Sequence, residues 1–254
     1  REKARLKLSR YQLARLEDFA LLAVQALVAA NASVIQITIQ ERQQPLGPLI
    51  EIRGENVNLD PRRLDRLDEE IFSPNRESEP YRLLAIASNA AEPFCQGSPQ
   101  VHKAENSLRF EATLQDPLAN LVKAVQTRVL FCPCQVTLND ATLPQEDPDS
   151  RPVSPIKFPE SYVRLARFGV EIESKRFPAT PAYSTILSHP DFLLDASCSH
   201  VVEDELYSDC LNRAQAQAER RLVELATNQP DEETLKLIFY WLPHLQQSKS
   251  FYEL

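Results

Sequence analysis

Methionine is absent from this 254-residue chain, and glycine is scarce: Gly47, Gly54, Gly97 and Gly169 are the only four, against nineteen prolines. Ordinary usage of about 7% would give roughly eighteen glycines. A fold that cradles phosphate groups in glycine-rich loops is therefore poorly supplied. No apolar run approaches the ~20 residues that cross a bilayer, and no charged start followed by a small-residue cleavage site appears, so a cytoplasmic protein is expected. Five cysteines, an odd number spread along the chain, exclude a secreted disulfide framework and imply reduced thiols. The histidines His102, His189, His200 and His244 are scattered, with no HExxH pair.

What is present points to a folded protein. The hydrophobic content of 43% fills the core of one large domain or two ordinary ones. The net charge of -8 gives a field that repels nucleic acid and anionic lipid. The first sixteen residues run against it, with Arg1, Lys3, Arg5, Lys7, Arg10 and Arg15 opposed only by Glu2. A solvated face accounts for them, and a nucleic-acid-associated regulator is the alternative they raise.

Apolar spacing of three and four residues from Leu13 to Val28 predicts a helix over 10–30, with Ser9 the candidate cap at its start and Asn31 closing it in the left-handed conformation. VIQITI at 34–39 alternates as a strand, with Leu49 to Arg53 as its hairpin partner. Helical patterns cover 62–72 and 81–91 with a loop between. SLRFEATL from Ser107 reads as a strand and 118–127 as a helix. VTLNDATL, 136–143, reads as a hairpin turning at Asn139-Asp140. Five prolines between Pro144 and Pro159 mark a linker. Beyond it, 161–177 is mostly strand, 193–207 holds a short strand leading into a long helix to about Ala226, and a last helix starts near Pro230.

The order helix, strand, strand, turn, helix, loop, helix resembles the N-terminal ATPase domain of the GHKL superfamily, which includes gyrase B, the ninety-kilodalton heat-shock chaperones, histidine kinases and the mismatch-repair protein MutL. LLAVQALVAANASVIQITI, 21–39, aligns without a gap to the family's ELVENALDAGATRIEI pattern. The family's water-activating glutamate and magnesium-binding asparagine fall on Leu22 and Ala26, which can neither accept a proton nor ligate a metal. Its adenine-binding Asp-x-Gly-x-Gly falls on Gly54, Asn56 and Asn58. LLAIASNA, 83–90, resembles the helix behind the phosphate lid, but SEPYR before it lacks the glycines. TRVLFCPCQVTLNDATL and FLLDASCSHVVEDELYSDCLNRAQ resemble the sheet-ending hairpin and the transducer domain of bacterial GHKL proteins, a domain that relays ATP state to partners and often sits at a dimer interface.

The resemblance implies an α+β protein: a Bergerat-type helix-on-sheet ATPase-like domain over 1–143, a proline-rich linker over 144–160, and a smaller α/β transducer-like domain over 161–254. The implied function is non-enzymatic, that of an interaction, scaffolding or chaperone-like regulatory subunit on an emptied nucleotide fold. It would have no cofactor and one or more protein partners, a second copy of the chain included. The rival is an ATP-binding protein using magnesium, with Glu17, Asp18 or Glu55 supplying the missing groups. Two other constellations are weaker. Cys132, Cys134, Cys198 and His200 are four ligands of the kind zinc takes, but no spacing rule unites the two halves, and inert buried thiols are the favoured reading. Asp195, Ser197 and His200 lie too close in sequence to converge as a hydrolytic triad, with no nucleophile elbow. Tyr240-Trp241 reads as a packed helix end.

Overall fold

The computed structural model describes residues 13, 15, 17–42, 47–71, 75–116, 120–148, 153–227 and 231–245. The start of the predicted first helix, with Ser9 and every basic residue of that stretch except Arg15, lies outside the described residues, as do Pro117 and Pro230. The fold is α+β, with two mixed sheets.

Helix α1 (Asp18–Ala29) is apolar around nearly its whole girth and is buried accordingly, as a helix covered on several sides must be. Asn31 ends it at φ 58°, and the Ala32 amide reaches back to the Leu27 carbonyl at 3.0 Å, the bond of a left-handed helix stop. Strand β1 (Val34–Gln40) pairs antiparallel with β2 (Leu49–Glu55), Ile37 opposite Ile52. Two short helices follow, α2 (Pro61–Leu64) and α3 (Leu67–Glu70), where one longer helix was expected. The chain breaks at Arg66, φ -127° and ψ 34°, while Arg63 is held by Glu70 and Ser78.

Helix α4 (Glu79–Ala91) packs on α1. Strands β3 (Gln100–Ala104) and β4 (Ser107–Thr113) extend the sheet on the β2 side, and after α5 (Leu121–Arg128) the strand β5 (Gln135–Leu138) joins β1 in parallel. Strand β6 (Ala141–Thr142) completes the order β3-β4-β2-β1-β5-β6. Asn139 and Asp140 both take positive φ in the turn between β5 and β6, as a two-residue hairpin requires. Ile35, Ile37, Ile50, Ile52, Leu108, Phe110 and Val136 are buried in one core with α1 and α4. At alternate positions Arg53, Arg109, Gln36 and Gln135 are exposed, so one face of this sheet is polar.

The second sheet has the order β7-β10-β8-β9, from β7 (Ser154–Pro155), β8 (Glu160–Arg167), β9 (Val170–Pro178) and β10 (Tyr183–Ser188). β8 and β10 run parallel. The proline-rich connection is therefore partly structured: it supplies β7, and Val153 is buried in the second core. β3 and β10 had no counterpart in the sequence reading. Helix α6 (Glu205–Thr227) lies on this sheet through Tyr207, Ala214 and Ala218, and Leu222 meets Trp241 of α7 (Glu232–Leu245). Trp241 is buried and donates its ring N–H to the Ile156 carbonyl at 2.8 Å, as a packed helix end requires, whereas Tyr240, expected to pack with it, is exposed.

The sheets meet where the β8–β9 turn enters the first core. Phe168 and Gly169 both have positive φ, 46° and 77°, and Val170 is counted among the buried residues of the first core. The Gly169 carbonyl accepts the Phe131 amide at 2.9 Å, and Val129 bridges Val170. A Cβ on Gly169 would stand 2.6 Å from the Cα of Cys132, closer than backbone allows. Gly169→Ala is expected to cost about 2–4 kcal/mol, combining overpacking with left-handed strain. In urea unfolding the midpoint should fall with the slope unchanged.

Candidate functional site

Of the positions matched to the nucleotide pocket, Leu22 and Ala26 lie within α1, Gly54 lies on β2, and Asn56 and Asn58 lie in the turn that follows β2. Leu22 and Ala26 are each 1% exposed, inside the core shared with β1, β2 and α4. Gly54, on β2, is pressed against Leu27 of α1: an added Cβ would meet Leu27 Cδ2 at 2.6 Å. The helix thus sits directly on the strand, with hydrocarbon filling the contact. The turn after Gly54 fastens the end of α1. Asn56, at φ 57°, donates its side-chain amide to Ser33 Oγ at 2.8 Å, and the Asn58 backbone amide reaches the Ala30 carbonyl at 3.1 Å. Val57, between them in the chain, is buried in the first core. Glu55 lines a hollow of about 400 Å³ at the sheet's end, with Arg53, Asn56 and Asn106, away from the buried Leu22 and Ala26.

The fallback residues Glu17 and Asp18 diverge. Glu17 faces an open pocket of about 480 Å³ with Arg15, Asn120, Lys123, Thr127 and Arg128. Asp18 is buried and its Oδ1 accepts from Arg128 Nη1. Arg128 also donates Nε to the Glu171 carbonyl at 2.9 Å and Nη2 to the Ile172 carbonyl at 3.1 Å. One guanidinium therefore ties α1, α5 and β9. A second clamp runs the other way: Arg167, at the end of β8, gives Nη2 to Glu79 of α4 at 2.6 Å and Nε to the Pro190 carbonyl at 3.0 Å. Glu79 also pairs with Arg82 at 2.6 Å. Burial pushes the Arg167 guanidinium down from the ordinary arginine value, opposed by Glu79.

A further opening lies at this junction. It is a crevice of about 900 Å³ lined by Phe131, Cys132, Cys134, Leu143, Glu146 and Phe168 among others. Gln145 stiffens its wall, accepting the Cys132 amide at 2.8 Å and donating to the Val129 carbonyl at 3.2 Å.

The chain matches no protein-family model and no curated protein. Its chemistry is read from these groups alone.

Cys132 and Cys134 border the crevice, while Cys198, at φ 54°, packs at the edge of the first core. Burial raises the thiol pKa of all three, Cys198 to about 11, so they are protonated and poor nucleophiles near neutrality. His200 is exposed, its Nδ1 2.8 Å from Ser199 Oγ. Among the described residues no group of three or more His, Cys, Asp and Glu side chains is arranged to hold a metal ion. Asp195 accepts from Ser197 Oγ at 2.7 Å and stands 3.4 Å from His200 Nδ1. The carboxylate lies between serine and imidazole, the wrong order for a base to activate that hydroxyl. Among the described residues no helix is long and apolar enough to cross a membrane.

Sequence reasoning missed Arg128, Arg167 and Glu79. The available signal was Arg167 itself, a charge between Ala166 and Phe168 at the end of an apolar strand.

Asp18 carries a pH dependence. Burial raises its pKa from 3.8, outweighing the attraction of Arg128 and Arg15. A raised folded pKa gives stability that is full below the unfolded value and is lost as pH rises through the folded value. The stability of the native protein relative to Asp18→Asn should therefore decline as pH rises above the ordinary aspartate value of 3.8. Paired urea titrations across that range check it, and a relative stability that climbs with pH would show Arg128 outweighing burial.

Proposed function

We propose that this chain is a non-enzymatic interaction or scaffolding subunit, chaperone-like in its regulatory role, built on an emptied nucleotide-binding fold of the GHKL type. The observation that carries the reading is the burial of Leu22 and Ala26 in hydrocarbon, with Leu27 against Gly54. Magnesium needs oxygen ligands beside the phosphates, and adenine needs a buried acceptor for its amino group. Neither is offered at those positions. The order of α1, β1 and β2, with α4 packed on α1, supports a Bergerat-type layout for the first layer, and a strand-and-long-helix second layer fits a transducer-like module. On this reading the protein binds partners through its surface, a second copy of itself included, and needs no cofactor.

A second reading has one observation in its favour. Glu17 shares its open pocket with Arg15, Lys123 and Arg128, a carboxylate beside cations of the kind that meet a phosphate. There the chain would bind ATP with magnesium through a displaced site.

The two readings separate by melting. Ligand at a hundredfold excess over its dissociation constant stabilises by about 2.7 kcal/mol, which for a chain of this size is roughly 5 to 10 °C. Millimolar Mg-ATP is expected to shift the melting temperature by less than about one degree, with no phosphate release above a buffer blank. A shift of several degrees, abolished by Glu17→Ala or Glu55→Ala, would replace the first reading with the second.

A further inference from the structure

The polar face of the first sheet carries its charges in rows. Across the strands, Arg53 on β2 is the direct partner of Arg109 on β4, and two residues along, Glu51 is the direct partner of Glu111. Alternation with Ile50, Ile52, Leu108 and Phe110, all buried in the first core, puts the four charges together on the opposite face. Two cations side by side and two anions side by side are each unfavourable in a lone sheet, because like charges directly opposite repel. Compensation within the chain is loose. Arg109 stands 3.6 Å from Glu51 and 3.8 Å from Glu111, and Arg53 stands 3.6 Å from Glu55, all beyond hydrogen-bond length. Around the rows lie Gln36, Thr38, Ser107 and Thr137, polar side chains slim enough to let a second sheet approach to the ~10 Å of face-to-face packing.

We infer that a second copy of the chain docks on this face about a two-fold axis lying between the two rows, parallel to the sheet and perpendicular to its strands. Rotation about that axis exchanges the rows, as an isologous interface requires: Arg53 of each copy meets Glu51 of the other, and Arg109 meets Glu111. These pairs lie on the central strands β2 and β4, where the roughly 30° offset of stacked twisted sheets displaces them least. A partner of one charge sign would be repelled by one row while attracted by the other. The pattern that satisfies both is the same pair of rows inverted, which the chain itself supplies. The area is sufficient: the strands β3, β4, β2, β1 and β5, at about 4.8 Å spacing and about 23 Å long, offer roughly 550 Å² per copy, near the lower bound of a specific interface. The inference rests on the reading of the chain as an interaction subunit and names for it a partner and a surface.

Sedimentation velocity on the full chain tests it. The native protein is expected to show a monomer–dimer equilibrium at concentrations up to about 100 μM, the range suited to a polar interface of this size. Glu51→Lys with Glu111→Lys makes both rows basic, and Arg53→Glu with Arg109→Glu makes both acidic. Each variant alone should dimerise about tenfold or more weakly, and an equimolar mixture of the two should associate again, as a heterodimer. The basic variant separates local pairing from the field of the whole molecule: it brings the net charge of -8 nearer zero, which by itself favours association, yet it should dissociate. If either reversal fails to fold by circular dichroism, Glu51→Gln with Glu111→Gln removes the same contacts and should also weaken the dimer. A native protein that stays monomeric throughout, a dimer indifferent to these substitutions, or a mixture that does not associate would overturn the inference. A monomer would leave the emptied-pocket reading standing, since melting with Mg-ATP decides that reading.

Discussion

The turn Phe168-Gly169 is seated against Cys132 so closely that no side chain fits at its second position, and the relation of the two sheets depends on that contact. Once the turn is in place, Val170 joins the first core and Arg128 finds two β9 carbonyls within reach. Arg167 likewise finds Glu79. These are buried charges, and each is a poor source of stability by itself. Removing one partner of such a pair nevertheless costs about 3–5 kcal/mol, because the other is left without compensation. The junction therefore specifies one arrangement more than it strengthens it, and apolar contact through Val129 and Val170 provides the adhesion.

Much of the first layer was legible in the sequence because its signals are local. Isoleucines alternating in VIQITI, the left-handed Asn31 and the Asn139-Asp140 turn each act over a few residues, and each stands where the pattern put it. β3 was not legible, since Gln100 to Ala104 is an edge strand with polar residues on one side and little to bury. β10 was hidden because its pairing with β8 is parallel and distant in the chain. The helix expected over 62–72 failed at Arg66, where propensity yields to the fixing of Arg63 by Glu70. Of the candidate site, the hydrocarbon at Leu22 and Ala26 was readable directly. The packing of Gly54 on Leu27 was not, because closeness between a strand and the preceding helix leaves no mark on the residues except the missing side chain.

The thiols and histidines show how residue type misleads without geometry. Cys132, Cys134, Cys198 and His200 suit a metal by kind. Two of them border a crevice, the third is wedged beside the charge clamps, and the fourth faces solvent. Burial that keeps the thiols protonated also keeps them out of nucleophilic chemistry. The same desolvation acts on Asp18 and Arg167, two buried charges where the layers join, while the face of the first sheet carrying Arg53 and Arg109 is open to water.

The proline-rich connection bears on how such a chain can be cut or recombined. Ser154 and Pro155 pair with Ser184 and Tyr183, and Ile156 accepts the Trp241 ring N–H. A fragment beginning after the last of the five prolines would lose an outer strand and the anchor of its C-terminal helix. A fragment ending before them would lack Val170 and the β9 carbonyls that Arg128 grips. Exchange of the second half alone would carry a bare β10 edge into its new setting, and of the first half an Arg128 stripped of its β9 acceptors, so the two layers are best moved as one cassette.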